Sequence, residues 1–459
     1  MQSAAAGRLA VGLASGEGEQ MTDFTTTSAA AAAAQRPVLG RINRRQLGQG
    51  FLAFGAAAAL PPMVRAAERT IRIGFVSPQT GPLAVFAEPD AFVLDQFRKG
   101  LENGLEINGE TWAVEIIVKD SQSNSNRAAS VAQELILDHE VHVLTATSTP
   151  DTTNPVADQA ELNGVPCVTN DTPWQPHFFG RGGNPETGFE WTNHFFWGLE
   201  DVIATFTGIW DRGATNKVVG ALWPNDPDGN AWGDAKIGFP RVLAEKGYTL
   251  VDPGRYQVLA DDFTAQITAF RNAGVEILTG VVPPPDFTAF WSQAAQQGFA
   301  PKIVTFGKAL EFPQVIGGLG ARGDGLSVEV WWSPNHPFRS GFTGQSSQEL
   351  AAAYEAATGN PWTMPLAFKH SLFEVVIDAL KRCGDPTDPA AIRDAIRATD
   401  YDSITGRVNF TTGPVPGISK TPLVGGQWSV VDGKPQLAVI ENGAHPEIAT
   451  SGELRLIGA

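Results

Sequence analysis

The feature that most constrains the fold is a regular alternation of short, β-branched apolar runs with stretches of helical periodicity. The first run, at 71–76, ends at a Ser-Pro pair and is followed by a stretch at 90–104 in which large apolar residues recur at helical spacing. Strands that alternate with helices are joined by right-handed crossovers and form parallel sheets. The sequence therefore predicts an α/β protein.

This alternation occurs twice, on either side of an irregular stretch rich in Gly, Pro and Trp at 171–193. The predicted strands of the first series lie at 71–76, 114–119, 141–146 and 165–169, and those of the second at 217–222, 248–258, 275–282 and 302–306. After a strand at 326–331, helices are predicted near 345–357, 365–382 and 388–398, and strands at 428–431 and 437–440. Two short strands cannot bury a core alone, so we expect the last pair to join an earlier sheet.

Length and composition limit the number of domains and the kinds of molecule that the protein can bind. The 459 residues are enough for two or three domains of about 100–200 residues each. The chain has 49 acidic and 33 basic residues, a net charge of −16, which argues against affinity for nucleic acid or anionic membranes. Its two cysteines, Cys167 and Cys383, are far apart and form neither a disulfide framework nor a CxxC pair.

The N-terminal 66 residues have the features of an export signal. A low-complexity leader rich in Thr and Ala precedes a twin arginine at 44–45, an apolar run at 51–62 and a small-residue cleavage site ending at Ala66. The apolar run is too short to span a bilayer core of about 30 Å. We interpret residues 1–66 as a Tat-type signal peptide, which predicts a periplasmic destination; the alternative is an N-terminal membrane anchor.

Five short motifs follow one another along the remaining chain. They are the strand and Thr-Gly-Pro turn at 71–84, the Asn-Gly turn and strand at 108–123, Asn-Gly-Val-Pro at 163–166, Asp-Phe-Thr-Ala-Gln-Ile at 262–267 and the helix at 367–380. In this order, behind an export signal, they resemble the periplasmic binding proteins of the Leu/Ile/Val-binding type, the substrate-binding components of ABC transporters. The resemblance spans about residues 70–440.

The resemblance implies a two-lobed type I periplasmic binding protein fold. Each lobe would be a mostly parallel sheet flanked by helices, and the chain would cross the hinge three times. Lobe one is expected at 70–198 plus 333–406, lobe two at 199–332 plus 407–445, and a C-terminal tail at 446–459. Such a monomer would close on a small organic ligand and deliver it to an ABC permease in the inner membrane. Ligands of parallel sheets bind beyond the carboxyl ends of the strands, so loops from both lobes should face one cleft.

Candidate ligand contacts in lobe one follow two predicted strands. The hydroxyl-rich stretch at 147–153 opens a helix, whose free N–H groups favour a carboxylate, and the resemblance places the ligand's carboxylate there. Alternatively, its hydroxyls only cap the helix. The resemblance adds a second polar group after the next strand and an aromatic residue past the Thr-Gly-Pro turn. The resulting candidates are Phe86, Ser148, Thr149, Asn170, Asp171 and Thr172.

Candidates in lobe two lie at the corresponding strand ends. They are Trp223, Trp232, Pro283 and Lys308. The resemblance places an acid near Lys308 in relatives that bind α-amino acids, where it pairs with the ammonium group. A lysine that points into the cleft would instead favour an anion, such as an aromatic or short-chain carboxylate. The alternative is that Lys308 is solvated or pairs with Glu311.

Tryptophans near the expected lobe junctions would suit a flat or apolar ligand, although they are also ordinary core residues. They are Trp191, Trp197, Trp331 and Trp332.

No enzyme motif explains the chain. The GxGxxG match at 318–323 follows a helix-like stretch and precedes a strand, the reverse of a dinucleotide-binding context. We therefore predict a binding protein with no catalytic residues, no cofactor and no metal site. The alternatives left open are binding of branched-chain or other amino acids for transport, and a sensory or regulatory role. A sensor would normally need a transmembrane or signalling segment, and none is recognisable.

Overall fold

The computed structural model describes residues 69–458. The predicted signal peptide at 1–66 lies outside this range. Within residues 69–458, no helix is long and apolar enough to cross a bilayer. Both cysteines are free thiols: Cys167 is buried, as expected for a core thiol, and Cys383 is half-buried.

The first lobe is built on a seven-stranded sheet with the order β15-β6-β5-β4-β1-β3-β2. Its strands are β1 (Thr70–Ser77), β2 (Leu105–Ile107), β3 (Glu110–Asp120), β4 (Val143–Ala146), β5 (Cys167–Asn170), β6 (Thr192–Phe195) and β15 (Ile418–Ser419). All neighbours pair in parallel except β2 and β3, which form an antiparallel edge.

The second lobe is built on an eight-stranded sheet with the order β17-β16-β12-β11-β10-β7-β8, and β9 pairs with β7 off this path. Its strands are β7 (Val218–Pro224), β8 (Thr249–Val251), β9 (Arg255–Tyr256), β10 (Ile277–Val282), β11 (Ile303–Lys308), β12 (Ser327–Val330), β16 (Val424–Val431) and β17 (Lys434–Glu441). The last two strands pair antiparallel beside β12, so the prediction that the tail joins an earlier sheet is confirmed.

Helices cover both sheets. The α-helices of the first lobe are α1 (Asp90–Gly100), α2 (Ser125–Leu137), α3 (Pro150–Asn163), α4 (Trp174–Phe178), α11 (Ser347–Thr358), α12 (Met364–Arg382) and α13 (Pro389–Arg397); those of the second are α5 (Leu199–Trp210), α6 (Pro227–Trp232), α7 (Phe239–Glu245), α8 (Thr264–Asn272), α9 (Pro284–Gln296) and α10 (Pro313–Leu319). Short 3-10 helices occupy Ala84–Ala87, Ala309–Glu311 and Gly320–Gly323, and a hairpin of β13 (Asp400–Ser403) and β14 (Gly406–Asn409) lies beside α12.

The central strands read as continuous apolar runs because both of their faces are covered. Every residue of β4, β10 and β11 is buried. Parallel strands sandwiched between helices have no solvent face and lose the alternation of polar and apolar residues. The predicted α/β architecture, with two mostly parallel sheets in two lobes, is confirmed.

The chain passes between the lobes three times. The first two connections follow Phe195 and Val330, next to the expected boundaries. The third follows Ser419, because β15 pairs with β6 in the first sheet. The expected start of the last lobe-two segment at residue 407 therefore needs correction, since 407–419 remains with the first lobe. The Gly- and Pro-rich sequence at 411–417 carries no periodic signal that would have shown this.

Two further differences lie next to the cleft, and the GxGxxG match agrees with the prediction. The irregular stretch at 171–193 contains α4 and the start of β6, and α5 follows it without having been predicted. Between β7 and β8, the periodicity at 232–246 predicts one helix led by Trp232, but the chain forms α6, which ends at Trp232, and then the separate α7. The GxGxxG match spans the end of α10 and a 3-10 helix before β12, and this arrangement agrees with its rejection as a nucleotide site.

Candidate functional site

A cavity lies where the two lobes meet, beyond the carboxyl ends of the parallel strands. β4, β5 and β6 lead to it from the first lobe, and β10, β11 and β12 lead to it from the second. About 310 Å³ of space, part of it open to solvent, lies between the two walls. Its lining consists of Phe86, Thr149, Asp171, Pro173, Phe196, Trp197, Asp228, Trp232, Val281, Lys308, Glu311, Glu329 and Trp331.

The first lobe contributes a hydroxyl and a carboxyl from adjacent strand ends. The Asp171 carboxyl accepts a hydrogen bond from the Thr147 hydroxyl at 2.5 Å through Oδ2, while its Oδ1 is buried without a partner. The Thr149 hydroxyl is also buried and unpartnered. Burial raises the pKa of Asp171 to about 7, against the opposing effect of the Lys369 ammonium.

These strand ends hold unusual backbone conformations. Ser148, Thr149 and Asp171 have φ values of 74°, 64° and 58°. Side chains other than glycine rarely adopt positive φ, and such residues cluster where a backbone must present groups to a ligand. The three residues turn the chain sharply at the cleft, which brings Thr149 and Asp171 to the cavity wall.

In the second lobe, Lys308 reaches the cavity but is held by two aspartates. Its Nζ lies 2.9 Å from Asp226 Oδ2 and 2.7 Å from Asp228 Oδ2, and all three side chains are buried. Burial alone would lower the pKa of Lys308, but the charges of Asp226, Asp228 and Asp151 outweigh it and raise the pKa above its usual value. Lys308 is therefore a paired cation, and neither of the expected alternatives, solvation or a side-chain pair with Glu311, describes it.

Two glutamic acids form the deepest part of the second-lobe wall. Glu311 Oε1 accepts the backbone N–H of Lys308 at 2.9 Å, while Oε2 of Glu311 and Oε2 of Glu329 are buried with no partner other than the facing carboxyl. Burial raises the pKa of Glu311 to about 8. Burial, followed by the charge of Glu311, raises the pKa of Glu329 well above its ordinary value. The two carboxyls face each other closely enough that one proton on the pair is retained at neutral pH.

Aromatic rings form much of the remaining wall. Phe196 packs on Trp197 with ring centroids 4.8 Å apart and edge-on against Trp331 at 5.1 Å. Phe86 of the first lobe meets Phe312 of the second edge-on at 4.8 Å. The indole N–H groups of Trp197, Trp232 and Trp331 are buried with no hydrogen-bond partner. The cavity wall thus combines apolar rings with buried polar atoms that have no hydrogen-bond partner in the protein.

A second, wider space continues outward from the inner cavity. It encloses about 790 Å³, and it is lined by residues of both lobes that include Leu83, Asp151, Asp226, Pro283 and Lys308. Lys308 lines both spaces, so it stands between the inner cavity and the mouth of the cleft. Pro283 begins α9 at this mouth and does not line the inner cavity.

The inner cavity brings together half of the candidate contacts. Phe86, Thr149, Asp171, Trp232 and Lys308 line it.

Pro283 lies at the mouth of the cleft, and the other four candidates are buried behind the cavity wall. The Ser148 hydroxyl lies 3.5 Å from Lys369 Nζ, and Asn170 donates to the Phe368 carbonyl at 2.7 Å. The Thr172 hydroxyl lies 2.9 Å from that of Thr153. Trp223 packs in the core of the second lobe against Trp232 and Phe239. Sequence alone placed these side chains at strand ends but not on a particular face.

Several lining residues had no role in the sequence analysis. They are Pro173, Phe196, Asp228, Val281 and Glu329. Glu311 had been named only as an alternative partner of Lys308, and Trp197 and Trp331 only as junction tryptophans. Glu329 carried a usable signal, since it is a charged residue within the otherwise apolar run at 326–331. An acid in a fully buried strand is rare unless it is paired or functional. Asp228 and Glu311 lie in short helices that showed no periodicity.

The sequence profile of the family described as periplasmic binding protein matches residues 70–417. The match covers most of the chain and contains every strand that leads to the cavity. The chain belongs to the periplasmic binding protein family. The resemblance drawn from the five sequence motifs is thereby confirmed.

Solved structures with the same fold include binders of different solutes. A leucine-binding protein from Thermotoga maritima is 19% identical, with 82% of this chain and 99% of that chain aligned at a TM-score of 0.64. An ABC-transporter solute-binding protein from Rhodopseudomonas palustris, in complex with 3,4-dihydroxybenzoic acid, is 19% identical, with 84% and 98% aligned at a TM-score of 0.65. A branched-chain amino acid transporter substrate-binding protein from Streptococcus pneumoniae, in complex with isoleucine, is 16% identical, with 81% and 100% aligned at a TM-score of 0.63. At these identities, the likeness establishes the fold and leaves the ligand open.

Proposed function

We propose that this periplasmic binding protein captures a small organic solute between its lobes by hinge closure and delivers it to an ABC permease in the inner membrane. The observation that carries this proposal is the cavity at the lobe junction, which has walls from both lobes. A ligand that contacts both walls stabilises the closed arrangement by the difference between its affinities for the closed and open states. A monomer suffices, because one chain supplies both walls.

The shape and lining of the cavity favour a compact solute with a flat or apolar body. Phe86, Phe196, Trp197, Trp232 and Trp331 supply ring surface, and the polar atoms are few and lie on two sides. Apolar walls with a small number of placed polar groups are typical of small-molecule sites.

The structure weakens one of the two reasons to expect a carboxylate ligand. The expectation based on Lys308 required a free cation in the cleft, but Asp226 and Asp228 neutralise this lysine. The expectation based on the helix start at 147–153 does not depend on Lys308. Amino-acid binding remains a second candidate, since the acids Glu311 and Glu329 lie close to Lys308, near the position where amino-acid binders of this family keep an acid for the ammonium group.

The proposal is tested by thermal unfolding of the purified protein with a panel of amino acids, amines, carboxylates and amides. A ligand at 100 times its Kd should stabilise the protein by about 2.7 kcal/mol. Small-angle scattering on the same samples should show a smaller radius of gyration with the active solute. A protein that no solute stabilises, or a bound solute that leaves the radius unchanged, would contradict capture by closure.

Two phenylalanines of the first lobe provide a matched pair of variants. Phe86 lines the cavity, whereas Phe92 packs against Tyr354 on the outer side of the lobe. Phe86→Leu should weaken binding of the active solute several-fold, and Phe92→Leu should leave it unchanged. Equal effects of the two variants would place the binding site elsewhere.

A further inference from the structure

The cavity holds more acids than its bases can neutralise. Its titratable lining groups are Asp171, Asp228, Glu311, Glu329 and the single base Lys308. Lys308 is already engaged by Asp228 and by Asp226, which lies just outside the inner wall. Asp171, Glu311 and Glu329 therefore face the cavity without a cation of their own.

The other lysine near the cavity is also engaged. Lys369 of α12 is buried, and its Nζ lies 3.3 Å from Asp90 Oδ1. It stands behind Ser148 and acts on Asp171 through its charge, without lining the cavity. Neither lysine is thus available to pair with an anionic solute.

The acids present unused acceptor atoms to the cavity. Oδ1 of Asp171 is buried without a hydrogen-bond partner, and Oε2 of Glu311 and Oε2 of Glu329 are buried with no partner other than the facing carboxyl. These side chains are 5%, 5% and 1% exposed. A buried acceptor without a donor partner destabilises the solute-free protein, and more so if it is charged. Solute donors or a solute cation would satisfy all three atoms, which lie on opposite walls.

Aromatic faces beside carboxylates are the chemistry that recognises organic cations. The rings of Phe86, Phe196, Trp197, Trp232 and Trp331 surround the same space. A cation over an aromatic face is attracted by the electron-rich ring, and more strongly when the cation is desolvated. The rings would pack against the alkyl or aryl body of the solute and contact its ammonium group. The carboxylates would form ion pairs with that ammonium group.

We propose that the solute is a small organic cation, a protonated or quaternary amine with an apolar body and no carboxylate. This inference rests on the proposed capture function and specifies the substrate class of the same site. A carboxylate on the solute would meet the buried Asp171 on the first-lobe wall, where the family resemblance had implied carboxylate binding. Desolvated like charges repel, so the site rejects acids as well as accepting cations.

Binding of a cation should release protons. Burial holds the pKa of Asp171 at about 7 and that of Glu311 at about 8, so both are partly protonated near neutral pH. A nearby cation favours the ionised form of each acid. The charged groups around them are Glu329, Asp228, Asp226, Asp151 and Lys308 on the cleft side, and Lys369 with Asp90 behind Asp171.

The first experiment compares solutes that share a body and differ in charge. The series on a phenyl body are phenethylamine, its trimethylated quaternary form, phenylalanine, 3-phenylpropionamide and 3-phenylpropionate; isoamylamine, leucine and 4-methylvalerate form a smaller aliphatic series. Calorimetry at pH 7.5 should show the amine or quaternary form binding at least about tenfold more tightly than the zwitterion, the amide and the acid. Tightest binding by the zwitterion or the acid overturns the inference, as does equal binding of amide and amine.

These outcomes separate the inference from the proposed function. Preference for an acid, a zwitterion or a neutral solute with lobe closure leaves solute capture standing and removes only the cation. Absence of binding by every member of both series, together with no stabilisation in the wider panel, removes both.

The second experiment uses the unaltered protein and the quaternary probe, whose charge does not change with pH. Its affinity should rise at least about tenfold from pH 6 to pH 8, and calorimetry in buffers of different ionisation enthalpy should show net proton release. An affinity that falls with pH, or net proton uptake, would be the signature of an anion site and contradicts the inference.

Isosteric amide variants test which carboxyl groups recognise the charge of the solute. Glu329→Gln in the second lobe and Asp171→Asn in the first should each weaken cation binding about tenfold and reduce proton release, while binding of 3-phenylpropionate does not weaken. The matched control is Glu374→Gln, a buried acid of the first lobe that bonds to Ser340 and lies away from the cavity. If both cavity variants retain the cation affinity and proton release of the unaltered protein, the acids do not recognise the solute.

Discussion

Lys308 ends β11 with a backbone conformation, φ 60° and ψ −66°, that corresponds to a strained γ-turn. The turn directs its side chain to Asp226 and Asp228, which flank the start of α6. The Asp226 carboxylate also accepts the Gly229 N–H at 2.7 Å as the N-cap of that helix. One buried lysine thus joins the end of a central strand to the first turn of a cleft helix.

Removal of this lysine should therefore destabilise the fold. Lys308→Met leaves Asp226 and Asp228 buried side by side without a cation, and breaking a buried ion pair in this way costs about 3–5 kcal/mol. Urea unfolding at pH 7.5 measures the change in unfolding free energy. The double variant Lys308→Met with Asp228→Asn should recover part of the loss, and a single variant as stable as the original would show that the three groups do not depend on each other.

At the scale of elements, two adjacent central strands of the second sheet each contain a tightly packed glycine. One glycine packs against the backbone of a neighbouring strand, and the other packs against side chains that line the cavity. In β10, a Cβ at Gly280 would lie 2.6 Å from the Leu222 carbonyl oxygen of β7, a backbone atom that cannot give way. In β11, a Cβ at Gly307 would lie 2.6 Å from Glu329 Oε1 and 3.0 Å from the Trp232 ring, both of which line the cavity.

The two glycine variants should separate stability from binding. Gly280→Ala overpacks the core and should lower the unfolding free energy by about 1–3 kcal/mol. Gly307→Ala displaces the movable end of Glu329 and should instead weaken solute binding several-fold with a smaller loss of stability. Thermal unfolding and calorimetry on both variants check this, and it fails if Gly307→Ala leaves affinity intact or if Gly280→Ala costs no stability.

Elements with a strong periodic signal were predictable from sequence, and the short ones were not. The long helix α12 and strand β10 lie within a few residues of their predicted positions at 365–382 and 275–282. The two-residue strand β15 was missed because so few residues carry no periodicity, and it is defined only by its pairing with β6. Because of that pairing, the chain crosses between the lobes for the third time after Ser419 and not near residue 407.

At the scale of the whole molecule, buried acids should make stability depend on pH. Burial raises the pKa of Glu311 to about 8, and of Asp171 and Glu374 to about 7. In the unfolded chain such groups titrate at about 4, so between these values the folded protein binds more protons than the unfolded one. The contribution of each of these acids to the unfolding free energy is therefore fully present below about pH 4. It is lost as the pH rises towards 8, by up to about 1.4 kcal/mol per pH unit for each group.

The unfolding temperature of the solute-free protein should accordingly fall by a few degrees from pH 6.5 to pH 8. The buried histidines oppose this trend only in part. Burial lowers the pKa values of His194, His336 and His370 to about 3, so they are neutral in the folded protein, while the unfolded chain releases its remaining histidine protons just above pH 6.5. Glu311→Gln should flatten the slope. An unfolding temperature that rises over this interval would mean that the acids are ionised in the folded protein.

The sequence by itself determined the α/β class, the duplicated strand and helix series, the two-lobed family fold and the strand ends from which the site is built. These follow from the local periodicity of apolar residues and from short motifs, which a single chain segment carries. Which charged groups of the cavity lining are paired was decided only by the tertiary structure. Asp226 and Asp228 are more than 70 positions from Lys308, and Asp171 lies in the other lobe from Glu329, so no local pattern shows that the lysine is neutralised while the acids remain free. The charge that a cavity presents depends on which buried groups pair, and pairing is a property of distances that only the folded chain sets.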